Sequence, residues 1–280
     1  MAPETLAAAL SSLRTDGFVV LNDIVDREHL RQIRERMFAD IPQILTRSDA
    51  PFNWITGNLQ QTAPPFPPYL FRDILVNDPV IQLTRAATGR RMVCDMYSGN
   101  TAMPGEQRQP VHFDFGPLWP GQAFDHPPHG FVINIPVVDM SPENGAIELW
   151  PKSHLAPIPH GLEGITLTEK MLAEQRSIAA PLQPSARLGS VLIRDSRLWH
   201  AGMPNRTETP RPMIALTHWI EWFRANGAVT LPRGTEEYVR HPDLTFRARF
   251  TDEPIDHIRH GDAYDFRPED EGVDVVGEQV

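Results

Sequence analysis

Gln109-Pro110-Val111-His112-Phe113-Asp114-Phe115 is the stretch that decides how this chain is read. On a strand, side chains alternate between faces, so His112 and Asp114 leave the same one. An imidazole and a carboxylate held that way make two corners of a metal site, and Phe113 turns the other way, into the wall. The spacing alone is weak. His-x-Asp occurs three times, at His112/Asp114, His241/Asp243 and His260/Asp262, which is no more than chance gives among 11 histidines. Context separates them. Pro242 interrupts the second pair, and no apolar strand follows the third. Only His112/Asp114 has aromatic flanks and a run of strand candidates behind it.

Those candidates are 111–115, 131–138, 145–150, 190–194, 198–201 and 212–221, separated by turn-like segments such as Met140–Gly145. Many short strands with turn signals predict a mainly β chain with flanking helices around a double-stranded β-helix, a jelly-roll or cupin-like core, over 91–222. Upstream, residues 1–48 read as two helices and a strand. Leu6, Leu10 and Leu13 mark the first helix, and 17–21 the strand. Asp26 caps a second helix carrying Leu30, Ile33, Met37, Ile41 and Ile44 on one face. Residues 49–70 hold Pro51, Pro64, Pro65, Pro67 and Pro68 and read as an irregular loop over the site. A helix follows, with Pro79 opening a new turn, and 91–97 reads as a strand. A further helix is expected around 168–175. The acidic tail 266–280 reads as disordered, and 1–280 as one domain.

Composition sets limits. The 280 residues carry a formal charge of −10, which excludes nucleic acid as the partner because phosphates need a basic surface. Acidity suits a cationic small substrate as well as plain solubility. One cysteine, Cys94, allows neither an internal disulfide nor a cysteine zinc site and fits a reducing cytoplasm. The N-terminus lacks the pattern of a secretory signal, and no apolar run reaches the roughly 20 residues of a membrane span. The number of subunits is left open.

A third metal ligand must come from a later strand. Val191–Gly202 supplies His200 on a return strand; the competing reading is a core histidine with a satisfied hydrogen bond. Arg211 favours the ligand. It enters the apolar strand 212–217, and burying its guanidinium is costly unless an anion meets it. Its planar fork suits a carboxylate. Two histidines and one carboxylate with open positions are the donor set of non-haem Fe(II) oxygenases, and an arginine for the far carboxylate of 2-oxoglutarate completes the picture.

The segments His112-x-Asp114, Glu143–Gly145, Pro151–His154, Leu198–His200 and Arg211 together resemble the phytanoyl-CoA dioxygenase family, over roughly 15–222. The resemblance implies a dioxygenase that uses Fe(II), 2-oxoglutarate and O2 to oxidise a C–H bond of a small molecule. It implies His112, Asp114 and His200 as iron ligands, Arg211 as the 2-oxoglutarate anchor and Asn134 as a side chain facing the co-substrate. Lys152 stands where the family usually has glycine. Longer stretches, among them 58–61, 97–100, 109–112, 118–121, 193–200 and 217–223, resemble a subgroup from aminoglycoside antibiotic biosynthesis. Substrate contacts are expected from Gln61, Asn100, Gln109 and Glu148. Each has a second reading: loop packing for Gln61, turn shaping for Asn100, strand capping for Gln109 and an outward acid for Glu148. Trp54 and Gln60 are lid candidates. A silent binding module of cupin type, or a cupin isomerase, would not need the triad and the arginine together.

Overall fold

The computed structural model describes residues 1–48, 50–105, 107–121, 126–223, 227–258 and the backbone of 274–276. Among the described residues, five α-helices and twelve strands follow in chain order. The helices are α1 (Pro3–Thr15), α2 (Arg27–Leu45), α3 (Arg72–Leu75), α4 (Asp78–Thr88) and α5 (Glu169–Ile178). The first strands are β1 (Phe18–Leu21), β2 (Asn58–Gln60), β3 (Met92–Cys94), β4 (Tyr97–Ala102), β5 (Gly130–Pro136) and β6 (Glu148–Leu149). The others are β7 (Val191–Asp195), β8 (His200–Ala201), β9 (Arg211–Ile220), β10 (Val229–Pro232), β11 (Leu244–Thr251) and β12 (Asp274–Val276).

Local chemistry starts the helices where the sequence places them. The Asp26 side chain accepts from the Glu28 backbone N–H, Asn77 from Val80 and Thr168 from Met171, each filling one of the donors a helix start leaves open. Gly89 closes α4 in the left-handed region.

The large sheet runs β1-β7-β5-β9-β3-β11-β10, with β4 pairing β9 and β2, and β12 pairing β11. Its two faces differ. Ile133 and Ile135 on β5, Ile193 on β7, and Ile214 and Leu216 on β9 join the main core with Leu13 of α1, Leu30 and Ile33 of α2 and Ile81 of α4. The intervening residues turn to the opposite face, where Val132, Asn134, Arg194, Met213, Ala215 and Thr217 border a cavity. The period of two therefore sorts one strand set between a helix-covered core and a site. No helix among the described residues is long and apolar enough to cross a membrane.

The second layer is narrow. β6 pairs with β8, and single bridges extend it: Leu149 to Leu182, His200 to His112, and His112 to Thr166. The two layers make the jelly-roll core expected from the sequence. Four local expectations change. Residues 111–115 are not a strand: His112 makes bridges on both sides, and the chain bends at Asp114. The strand expected over 91–97 breaks at Asp95. Val93 lies opposite Trp219 and Tyr97 opposite Leu216, so this side carries one extra residue, as in a bulge. Asp95 is buried there and accepts from Thr217 Oγ1 and Trp219 Nε1, each at 2.9 Å. The proline-rich loop contains β2, because 52–63 lies between its prolines and can pair with β4. The sheet also continues past 222 through β10 and β11, the latter parallel to β3. The 266–280 tail, apart from β12, lies outside the described residues, as does His260/Asp262.

Candidate active site

His112 and His200 are direct partners across the narrow layer. The His112 N–H donates to the His200 carbonyl at 2.9 Å, and the His200 N–H donates back at 2.8 Å. Residues opposed in this way project to the same face. The bend after Phe113 then swings Asp114 beside them, with Oδ1 3.5 Å from His200 Nε2. One donor atom from each of the three lies within 4.8 Å of the others. Phe113 turns away and packs in a second core with Trp150 and Trp199.

Both imidazoles are pinned at Nδ1. That atom lies 2.8 Å from the Pro110 carbonyl in His112 and 3.0 Å from the Leu198 carbonyl in His200. A carbonyl only accepts, so Nδ1 of His112 carries the proton and its Nε2 is left as the lone-pair donor; in His200 the carbonyl is the nearer partner of Nδ1, with Arg194 Nη1 at 3.4 Å. Burial, aided by the neighbouring His200, lowers the His112 pKa to about 3, which keeps the ring neutral. Burial raises Asp114, but Arg194, His200 and His112 together outweigh it and leave the carboxyl well below its ordinary range. Two imidazoles and a carboxylate on a concave wall are the donor set that suits a divalent iron.

The cavity holds about 510 Å3. Arg211, at the head of β9, is 2% exposed and reaches it. Its Nη2 donates to the Gly145 carbonyl at 2.7 Å, and it has no ion pair among the described residues. Burial pulls its pKa down to about 10, so it remains a cation at neutral pH. Asn134 borders the cavity, with its Oδ1 accepting from Arg194 Nε at 3.1 Å. Asn100 and Gln109 border it too. The Gln109 amide bridges the Asn53 carbonyl (3.1 Å) and the Gly202 N–H (2.8 Å), which ties the loop to the strand carrying His200.

Two expected substrate residues stand elsewhere. Gln61 is 2% exposed, donating to the Met37 carbonyl of α2 and accepting from Thr101 Oγ1, so it joins helix to sheet and does not border the cavity. Glu148 is ion-paired to Arg108, accepts from Trp150 Nε1 and likewise does not border the cavity. Trp54 and Gln60 do border it, and the Trp54 ring centre is 4.1 Å from that of His112. His241 pairs with Asp78 at 2.9 Å, away from this site.

Arg194 was missed by the sequence reading. It is 4% exposed on β7, with Nη2 2.6 Å from Asp114 Oδ2. The signal was present, since an arginine follows Val191-Leu192-Ile193 in an otherwise apolar strand.

Comparisons with known proteins agree with this fold. A dioxygenase of Aspergillus fumigatus, Af480, is 24% identical over 200 residues, covering 64% of this chain and 60% of its own. The chain thus spans 60% of that relative's length, under two thirds. The crystal structure of AviO1 from Streptomyces viridochromogenes Tue57 superposes with a TM-score of 0.59 at 22% identity, covering 80% of this chain and 99% of that one. The epimerase SnoN, solved with Fe3+, alpha ketoglutarate and nogalamycin RO, gives 0.59 at 16% identity, covering 78% and 85%. The model of the family described as Phytanoyl-CoA dioxygenase (PhyH) matches residues 13–213. The chain belongs to the phytanoyl-CoA dioxygenase family.

Proposed function

We propose that this protein is an Fe(II)- and 2-oxoglutarate-dependent oxygenase that oxidises a C–H bond of a polar natural product, working in a reducing cytoplasm. His112, Asp114 and His200 would hold the iron, and Arg211 and Asn134 the co-substrate. When bound, iron would activate O2, the oxidant, with two electrons supplied by the oxidative decarboxylation of 2-oxoglutarate. The observation that carries the reading is Arg211: a buried cation with no ion pair among the described residues, on the wall of the cavity that holds the His/Asp/His cluster. A buried guanidinium in that position calls for an anion, and a dicarboxylate spanning from cluster to arginine provides one.

The chain's own contribution is positioning and shielding. The Pro110 and Leu198 carbonyls hold both imidazoles by Nδ1, and Arg194 occupies Asp114 Oδ2, so Oδ1 is the oxygen left for a metal. Trp54 covers His112 from the loop side. SnoN binds nogalamycin RO, and segments of this chain, including 58–61, 97–100 and 193–200, resemble kanamycin B dioxygenase. The first supports a natural product as substrate, and the second a sugar- or aminocyclitol-bearing one from antibiotic biosynthesis.

The test is anaerobic. Fe(II) and 2-oxoglutarate added to the purified protein give the weak visible charge-transfer band of the chelated co-substrate. Arg211→Ala needs about 30-fold more 2-oxoglutarate to reach the same band, the order expected on losing one partner of a buried charge pair. No band in the wild type, or unchanged affinity in the variant, rejects the assignment.

A further inference from the structure

Asp40 stands on the apolar face of α2. It follows Ile33 and Met37 at helical spacing, and its side chain is 3% exposed. A carboxylate buried there costs stability unless partners hold it. Arg36 Nε, one turn back, donates to Oδ1 at 2.8 Å, and His257 Nε2, 217 residues away, meets Oδ2 at 2.8 Å. The His257 side chain is 4% exposed. This pair fastens the segment after β11 to α2.

The same segment touches the loop that covers the site. The Phe66 ring stands edge-on to that of His257, with centres 5.1 Å apart, and the Arg36 guanidinium lies 5.8 Å from the Phe66 centre and 5.9 Å from that of Tyr69. Ile258 packs with Ile41 and Ile44 of α2 and with Leu59 of β2. Leu59 is fully buried between Asn58 and Gln60, which border the cavity. Alternation thus gives β2 one face towards the cavity and the other towards Ile258. Backbone bonds carry that position onward. The Gln60 N–H donates to the Pro51 carbonyl at 2.7 Å and the Asn53 N–H to the Asn58 carbonyl at 2.8 Å, which closes the turn holding Trp54. The His/Asp/His cluster and Arg211 stand on other elements, 112–114, β8 and β9. Residues 257–258 lie beyond the 13–213 stretch that the family model matches.

We propose that residues 257–258 brace the loop wall of the cavity. His257, acting through Asp40, and Ile258, acting through Leu59, are positioning residues that hold β2 and the Trp54 turn where the organic substrate meets them. The proposal rests on the oxygenase reading for what that wall receives, and it gives a segment outside the family match a part in the site.

Hydrogen exchange on the metal-free full chain, followed peptide by peptide by mass spectrometry, tests the brace. His257→Ala speeds exchange of the amides in 51–61 about 10-fold or more, while those of β7 and β9 keep their wild-type rates. His257→Gln, whose side-chain amide still donates to Asp40, restores slow exchange. Unchanged exchange in 51–61, failure of glutamine to restore it, or equal acceleration in β7 and β9 overturns the proposal; the last would make His257 a general stabilising contact. The anaerobic Fe(II) and 2-oxoglutarate titration then separates the two sides of the cavity. The 2-oxoglutarate affinity of His257→Ala stays within about 2-fold of wild type, as for sites that share no partner. A larger loss overturns the assignment to the substrate side. Absence of the band in the wild type rejects the oxygenase reading instead, and the exchange measurement decides the brace without it, so the two failures are distinguishable.

Discussion

Asp114 Oδ2 and Arg194 Nη2 stand 2.6 Å apart, and the same guanidinium donates through Nε to Asn134 Oδ1 at 3.1 Å. One side chain thus joins a candidate iron ligand to a candidate co-substrate contact. Arg194→Met removes the shared partner of both. In the metal-free protein it is expected to cost about 1–3 kcal/mol, below the full price of breaking a buried pair because the Asp114 side chain keeps 28% of its exposure. Chemical denaturation of wild type, Arg194→Met, Asn134→Ala and the double variant checks it. The two substitutions should be non-additive, because both break the Nε–Oδ1 bond. Additive costs would mean that the contact carries no energy.

Gly145 has a φ of 79°, and its carbonyl accepts from Arg211. A Cβ at this position would stand 2.8 Å from the Met203 carbonyl oxygen. Gly145→Ala therefore strains the turn and moves the acceptor that aims Arg211. The expected outcome is a stability loss of about 1–2 kcal/mol together with weaker 2-oxoglutarate binding. The charge-transfer titration separates the two effects: lost stability with unchanged 2-oxoglutarate affinity would mean that Gly145 serves the turn and not the arginine.

Much of this was legible in the sequence. Helical spacing placed α1 and α2, the Asp26 cap marked the start of α2, and short apolar runs between turn signals marked β5, β7 and β9. Each of these signals is local. What was hidden depended on partners distant in the chain. Gln61 reads like a loop amide, yet its bonds run to Met37 and Thr101, so its place could only be known once α2 and β4 were set. Glu148 follows Ile147, which borders the cavity, so alternation turns it outward, the second reading weighed for it; its partner there, Arg108, lies 40 residues away. β10 and β11 were not hidden in this way: Leu244, Phe246, Ala248 and Phe250 alternate with Thr245, Arg247, Arg249 and Thr251, a local period-two signal that went unread, and only their pairing with each other and with β3 lay outside it. Arg194 is a second such case: the reasoning that singled out Arg211, a cation in an apolar strand, applied to it equally.

Trp54 holds a left-handed backbone conformation that suits glycine better, and its ring lies 4.1 Å from His112. Trp54→Gly relieves the backbone, worth about 1 kcal/mol, while removing a ring that is already half exposed. Stability is expected to hold within about 1 kcal/mol or rise slightly. Binding of the organic substrate should fall. Tryptophan emission offers a second readout: quenching on Fe(II) addition should be largest for the indole nearest the metal and should drop sharply in Trp54→Phe. Undiminished quenching in that variant would place Trp54 away from the iron in solution.

His218 lies on β9 with its ring in the core, 3% exposed, and its Nδ1 is 3.0 Å from Thr84 Oγ1. Burial, with a smaller contribution from His241, lowers its pKa from 6.5 to about 3. The folded protein therefore holds this ring neutral while the unfolded chain protonates it. Between the two pKa values the unfolded state binds more protons, so stability falls as the pH drops below about 6.5 and continues to fall towards about 3. At about 1.4 kcal/mol per pH unit, the loss reaches about 2–3 kcal/mol two units below the unfolded pKa. His218→Gln keeps an amide for Thr84 and removes the titration. Its stability at pH 7 should be lower than wild type through imperfect packing, yet its decline between pH 6.5 and 4.5 should be shallower by that amount. Urea denaturation across this range, on metal-free protein, measures the difference in slope. Parallel declines in the two proteins would mean that His218 gains its proton without unfolding or that the chain opens locally at β9 to admit it.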